Sequence, residues 1–225
     1  MLYSLGDPLS LVVLVLAFCL AVTVQGTVQA LVASRTGDRR PAQEGRRKPD
    51  PRAHVDPFGA VAGLIAGVGW SKPVEPPDRR RRGATAAVLL SGAVTCIVLG
   101  VLVLLAFRVI AGPMNSTSRG WITALQYGVE APLGERTLLL TGLSLLFCGV
   151  LALVPLPPLP GGRLLLALAP RTSGWQKAEY QLLERNVGTA VLLALLLIPL
   201  GGPQALLPTM LDTLVGPLVV LVTSA

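Results

Sequence analysis

The sequence predicts an all-α membrane protein, a polytopic helical bundle of about four to six membrane segments with a re-entrant or interfacial hairpin. Hydrophobic residues make up 52% of the 225 positions and charged residues only 14%, whereas soluble domains carry about 25% charge. Mean hydropathy is +0.65. The apolar residues are gathered into long runs separated by polar, proline-rich segments. A chain of 225 residues has room for one such bundle but not for a sizeable soluble domain beside it, so 1–225 reads as a single transmembrane domain.

Leu9 to Ala33 is a nearly uncharged run of 25 residues, which at ~1.5 Å per residue exceeds a ~30 Å hydrocarbon core. It reads as a spanning helix, being too long for a leader peptide and lacking a basic segment before it and a small-residue cleavage pattern at its end. Residues 34–83 then form a polar, proline-rich, basic loop broken by one apolar stretch, Phe58 to Trp70. That stretch is too short and glycine-rich to span, which points to the hairpin. A second span is expected from Ala84 to Ile110, with Arg108 snorkelling to the interface. After a loop from Pro113 to Glu135, a third apolar run, Thr137 to Val154, meets Pro155-Leu156-Pro157-Pro158-Leu159-Pro160-Gly161-Gly162. Prolines remove backbone donors and restrict the residues before them, so the helix must unwind there. Trp175 to Asn186 reads as an amphipathic interfacial helix leading into a span at Val187 to Leu200. The last segment, Ala205 to Val222, contains Pro208, Asp212 and Pro217 and fits either a kinked span or a membrane-surface element.

Charge placement gives an orientation. Twelve of the 19 Lys and Arg residues lie between Arg35 and Arg82, while the loop from Pro113 to Glu135 holds only Arg119. The positive-inside rule then makes the basic loop cytoplasmic and the N-terminus external. Composition rich in alanine, glycine, arginine and proline suits a bacterial plasma membrane protein. Positive-inside bias explains most of the +7 net charge, and no aromatic-interleaved basic platform accompanies it, so nucleic acid is not an expected partner. Arg79, Arg80, Arg81 and Arg82 beside a span are expected to touch anionic lipid headgroups as well as the bilayer at large. Cys19, Cys96 and Cys148 lie far apart in apolar runs and are expected to be buried, reduced packing residues.

Within the first span, Gln25-Gly26-Thr27-Val28-Gln29 keeps the frame of the H-E-x-x-H zinc-protease motif, while all three chemical positions differ. Gln25 and Gln29 share one helix face. A carboxamide oxygen is a weak, neutral ligand for zinc, and Gly26 has no side chain to act as a base. Further along come Gly37-Asp38, His54-Val55-Asp56-Pro57-Phe58-Gly59, Gly69-Trp70-Ser71-Lys72-Pro73-Val74 and the proline segment ending Gly161-Gly162-Arg163. In order and spacing these elements resemble the small bacterial site-2 protease family of intramembrane zinc metalloproteases, over residues 9 to 222.

The resemblance implies zinc held by the two histidines of H-E-x-x-H and by a later aspartate, a glutamate that activates water, and an asparagine that helps position substrate. Carried onto this chain, the histidine positions are Gln25 and Gln29, the glutamate position is Gly26, the asparagine position is Ala152 and the aspartate position is Pro160. Each is substituted, so no catalytic residue, metal ligand or cofactor is assigned. His54, the one histidine, is expected to order its loop by a hydrogen bond. The two glutamines are expected to bond to each other or to the unwound Pro155 to Gly162 backbone, or to line a former substrate groove with Pro157, Gly161 and Gly162 that grips a partner membrane protein. The leading functional expectation is a non-catalytic, site-2-protease-like pseudoprotease that binds or regulates such a partner. The alternatives are an active intramembrane zinc metalloprotease with an unorthodox site, the one case requiring zinc, and a structural subunit of a membrane complex.

Overall fold

The computed structural model describes residues 7–75, 82–113, 131–170, 172–198 and 205–224. The fold is an all-α polytopic bundle, and among the described residues the one extended pairing is a single antiparallel bridge between Val55 and Ser71. Arg79, Arg80 and Arg81 lie outside the described residues, as does most of the loop expected from Pro113 to Glu135.

Helix α1, Pro8–Arg35, starts where the Asp7 carboxylate accepts from the Leu9 amide and Pro8 takes the first helical position. A proline costs nothing there because its missing N–H would have no helical partner. Asp7 also accepts from Ser10 Oγ at 2.6 Å and from Arg136 Nη1 at 2.6 Å. This ties the start of α1 to the start of the third span. Two short helices follow, α2, Arg40–Gln43, and α3, Pro51–His54. Arg46 is buried between them and donates to the carbonyls of Lys72 at 2.5 Å and Pro73 at 3.0 Å, clamping the basic loop onto the extended 71–75 segment.

Helix α4, Pro57–Ala66, is capped by the Asp56 carboxylate, which accepts from the Gly59 amide at 2.8 Å, and stops at Gly67 in the left-handed region at φ 81°. The chain then doubles back so closely that a Cβ on Gly69 would overlap the Gly59 carbonyl. Val68 and Trp70 are buried by this return. The apolar stretch 58–70 is thus a hairpin with one helical and one extended arm.

Helices α5, Arg82–Ala111, and α6, Leu133–Leu153, pack with α1 into a three-helix core. Lipid tails are as apolar as leucine, so such helices associate through close packing at small residues. A Cβ on Gly100 would lie 2.7 Å from the Leu146 amide nitrogen, and one on Gly149 would lie 2.9 Å from the Ala93 carbonyl. Glycine is what lets the two backbones touch.

The helix expected to unwind after Val154 does so: α6 ends at Leu153, and α7, Pro160–Leu168, begins after the bend. Helix α8, Ser173–Glu179, continues into a π-helical turn at Tyr180–Glu184, with no buried residue in either, where the sequence leads one to expect a helix over Trp175 to Asn186. The expected span at Val187 to Leu200 is corrected. Helix α9, Val187–Leu197, has 11 residues and at ~1.5 Å each reaches about half of a ~30 Å hydrocarbon core. It stops because Ile198 precedes Pro199 and adopts extended geometry. Helix α10, Leu206–Ser224, carries Pro217 inside it and packs on α5 and α6. Its Leu206–Thr223 portion, α1, α5 and α6 are the four described helices long and apolar enough to cross a membrane.

Candidate functional site

Gln25 and Gln29 are 0% and 1% exposed, on the α1 face that meets α5. The crossing is tight at Gly92, where a Cβ would lie 2.5 Å from the Gln25 carbonyl and 2.9 Å from Cγ of both glutamines. One turn further, Cys96 Sγ lies 3.5 Å from the Ala21 carbonyl. The expectation that the two amides bond to each other or to the proline bend is replaced by a different arrangement. Gln29 Nε2 donates to the Leu89 carbonyl of α5 at 3.1 Å. Gln29 Oε1 and both amide atoms of Gln25 have no hydrogen-bond partner among the described residues.

Gly26 faces His54. A Cβ at residue 26 would overlap His54 Nδ1 and would lie 2.9 Å from Cγ of the ring. His54 is fully buried, and its Nε2 lies 3.1 Å from the Lys48 carbonyl and 3.0 Å from Thr27 Oγ1. A carbonyl can only accept, so Nε2 carries the proton and Nδ1 presents a bare lone pair toward α1. The loop-ordering role expected of His54 is met by these two bonds. Burial holds its pKa below the ordinary 6.5, against the bond to the Lys48 carbonyl, which raises it.

Pro160 is buried at the first position of α7 and Ala152 is buried one residue before the end of α6. Pro157, Gly161 and Gly162 meet in the bend: a Cβ on Gly162 would overlap the Leu156 to Pro157 peptide, and the Pro157 carbonyl packs against Gly188 of α9. Helix α5 packs on both α1 and α7. Beside the bend lies an open, apolar surface groove lined by Pro155, Gly161, Leu164, Leu165, Leu168 and Trp175 among others. Cys96 and Cys148 are buried as expected, whereas Cys19 is only half-buried, because residue 19 falls toward the outer side of α1.

These positions do not fit a zinc ion. Gln25 and Gln29 offer neutral oxygens, Pro160 offers no side-chain donor, and a zinc site needs three or four nitrogen, sulfur or carboxylate ligands. Among the described residues no group of three His, Cys, Asp or Glu side chains lies together. Sequence reasoning missed the two contacts that organise the site, His54 on Gly26 and Gln29 on Leu89. They join residues 28 and 60 positions apart, and only the H-x-D-P pattern around His54 hinted at the first.

No family model matches the sequence, and no solved structure matches it. A relative does: "Putative zinc metalloprotease YwhC" of Bacillus subtilis (strain 168) is 31% identical over 212 residues, covering 87% of this chain and 85% of that protein. A match of that identity over nearly the full length of both proteins accords with the site-2 protease resemblance of the motifs. The chain therefore belongs to the zinc metalloprotease family represented by YwhC.

Proposed function

We propose that this protein is a pseudoprotease, a non-catalytic member of its family that binds or regulates another membrane protein without cutting it. The observation that carries this reading is the packing at Gly26. The volume where a catalytic glutamate side chain would start is filled by the His54 ring, and the positions that would flank a metal carry two carboxamides and a proline. The residues assigned to partner binding are Gln25, Gln29, Pro157, Gly161 and Gly162, and a partner reaches the two buried glutamines only where α1 parts from α5. The Gln25 amide, without a partner among the described residues, and the unpaired Gln29 Oε1 are costly inside a membrane bundle, and such polar groups mark functional positions by default. The open apolar groove beside Gly161 supplies a place for the apolar flank of a membrane helix. The bilayer itself, and anionic headgroups at Arg82 and its three preceding arginines, complete the expected contacts. A plasma membrane location with the basic loop cytoplasmic belongs to the same reading.

The test is photocrosslinking in native membranes from Leu165. A captured membrane protein of undiminished length, lost on Gln25→Met while the variant stays folded, supports the proposal. Captured protein recovered as fragments, with cleavage abolished by a chelator, overturns it. Many single-span partners favour a regulator, and one fixed partner favours a subunit of a complex. The name of the relative favours a second reading, an active intramembrane metalloprotease with an unorthodox site. Zinc content separates the two.

A further inference from the structure

The basic loop holds a polar cleft lined by Asp38, Arg40, Glu44, Arg46, Lys72 and Glu75 among others. Its charges do not cancel pair by pair. Arg40 takes up two of the three carboxylates, donating to the two oxygens of Asp38 at 3.1 and 3.0 Å and to Glu75 at 3.0 Å. The third, Glu44, is exposed and stands 4.0 Å from Arg46 Nη1, beyond hydrogen-bond reach. Arg46 itself is 3% exposed. Of its five N–H donors, Nη1 and Nη2 each give one to the carbonyls of Pro73 and Lys72, and Nε has no partner among the described residues. Lys72 brings a second cation, exposed in the cleft wall. Once Arg40 has neutralised its share, Arg46 and Lys72 face Glu44 alone, an excess of one positive charge. A buried guanidinium with spare donors and no carboxylate in hydrogen-bond contact is costly until an anion completes it. A cation is not the missing piece, because no three Asp, Glu, His or Cys side chains among the described residues gather to hold one.

We propose that this cleft binds the phosphodiester of a phospholipid headgroup, seated between Arg46 and Lys72 with Glu44 turned outward. The position along α1 supports a lipid source. That helix has 28 residues, and at ~1.5 Å each it outruns a ~30 Å hydrocarbon core. Its Arg35 end therefore emerges among the headgroups, and Asp38 and Arg40 follow within the next few residues. The charge supports a phosphodiester in particular. Such a group carries one negative charge, equal to the excess left in the cleft, and its oxygens accept from a guanidinium and an ammonium at once. The site is separate from the arginines at 79–82, and it does not depend on whether the protein cuts its partners. Its consequence is that a lipid holds the 38–46 turn against the extended 72–75 segment, so the loop's order depends on the bilayer around it.

Thermal unfolding of the full-length protein in mixed micelles tests this, with dioleoyl phosphatidylglycerol titrated in and a glucosyl diacylglycerol of the same chains as the phosphate-free comparison. The phospholipid is expected to raise the Tm in a saturable way, as a ligand of the folded state does, and the glycolipid is expected to leave it unchanged. Lys72→Gln should weaken the apparent affinity for phosphatidylglycerol by about fivefold, the scale of one exposed ion pair. Glu44→Gln should strengthen it, because the competing carboxylate is gone. Arg52→Gln, which removes one exposed charge of the same loop outside the cleft, should change it little. Equal weakening by Lys72→Gln and Arg52→Gln overturns the site in favour of diffuse attraction by the basic loop. Equal stabilisation by the two lipids overturns it as well. Protection by inorganic phosphate in lipid-free detergent, matching that of the phospholipid, overturns the lipid assignment.

Discussion

Gln29 donates its carboxamide to the Leu89 carbonyl of α5 at 3.1 Å, while Gln25, one turn away on the same face, has neither amide atom paired among the described residues. Two chemically identical side chains therefore have opposite balances. A buried amide without a partner costs about 1–3 kcal/mol on protein mutational scales, whereas an interhelical bond within a membrane returns about 0.6 kcal/mol.

The first prediction follows from that contrast. Gln25→Met, which keeps an unbranched stem beside Gly92, stabilises the isolated protein by about 1 kcal/mol. Gln29→Met destabilises it by about 0.5 kcal/mol. Unfolding in mixed micelles measures both, and stabilisation by Gln25→Met should coincide with loss of partner capture.

The α1–α5 crossing depends on Gly92. Gly92→Ala brings a methyl within 2.5 Å of the Gln25 carbonyl, a backbone atom that can yield only by parting the helices. Overpacking of this kind costs about 1–3 kcal/mol. The effect is read as a lowered unfolding midpoint together with faster exchange of the amide protons of α1.

The end of the bundle that carries Asp7 is sensitive to acid. The hydrogen bond from Ser10, more than the charge of Arg136, holds Asp7 below the usual carboxylate value of 3.8. A carboxyl whose folded pKa is depressed gives stability that is fully present above its unfolded value and is lost as pH falls through the folded value. Unfolding followed between pH 5 and pH 3 should therefore show a loss of stability beginning as pH drops below 3.8, and Asp7→Asn should remove that component.

His54 gives a second pH window with the same sign. Burial, the larger cause, favours its neutral form, so the folded protein binds fewer protons than the unfolded chain below 6.5. Stability should fall as pH drops beneath 6.5 toward the lowered folded value. The groups acting on the ring are Arg46, which opposes its protonation, and Asp50 and the Lys48 carbonyl, which favour it. In His54→Phe, which fills much of the same volume without titrating, this slope should vanish.

Much of the fold was legible because its signals are local. Uninterrupted apolar runs mark α1, α5 and α6, and the four prolines between Pro155 and Pro160 mark the break before α7. The end of α9 was misread for a reason just as local. Apolar content continues to Leu200, and it outweighed the restriction that Pro199 places on Ile198. The site was legible as a set of substitutions but not as an arrangement. Nothing near Gln29 in sequence points to Leu89, and nothing near Gly26 points to His54, since both pairings arise only when α5 and the basic loop fold back against α1.

The central claim, that the protein has left the reaction of its family, is tested most directly by its zinc content. Protein purified in detergent from zinc-replete cells, without chelators, is measured for metal per chain by plasma mass spectrometry, alongside Gln29→Ala and His54→Ala variants. The account predicts zinc far below one per chain and no difference among the three. One zinc per chain, lost in either variant, would contradict it.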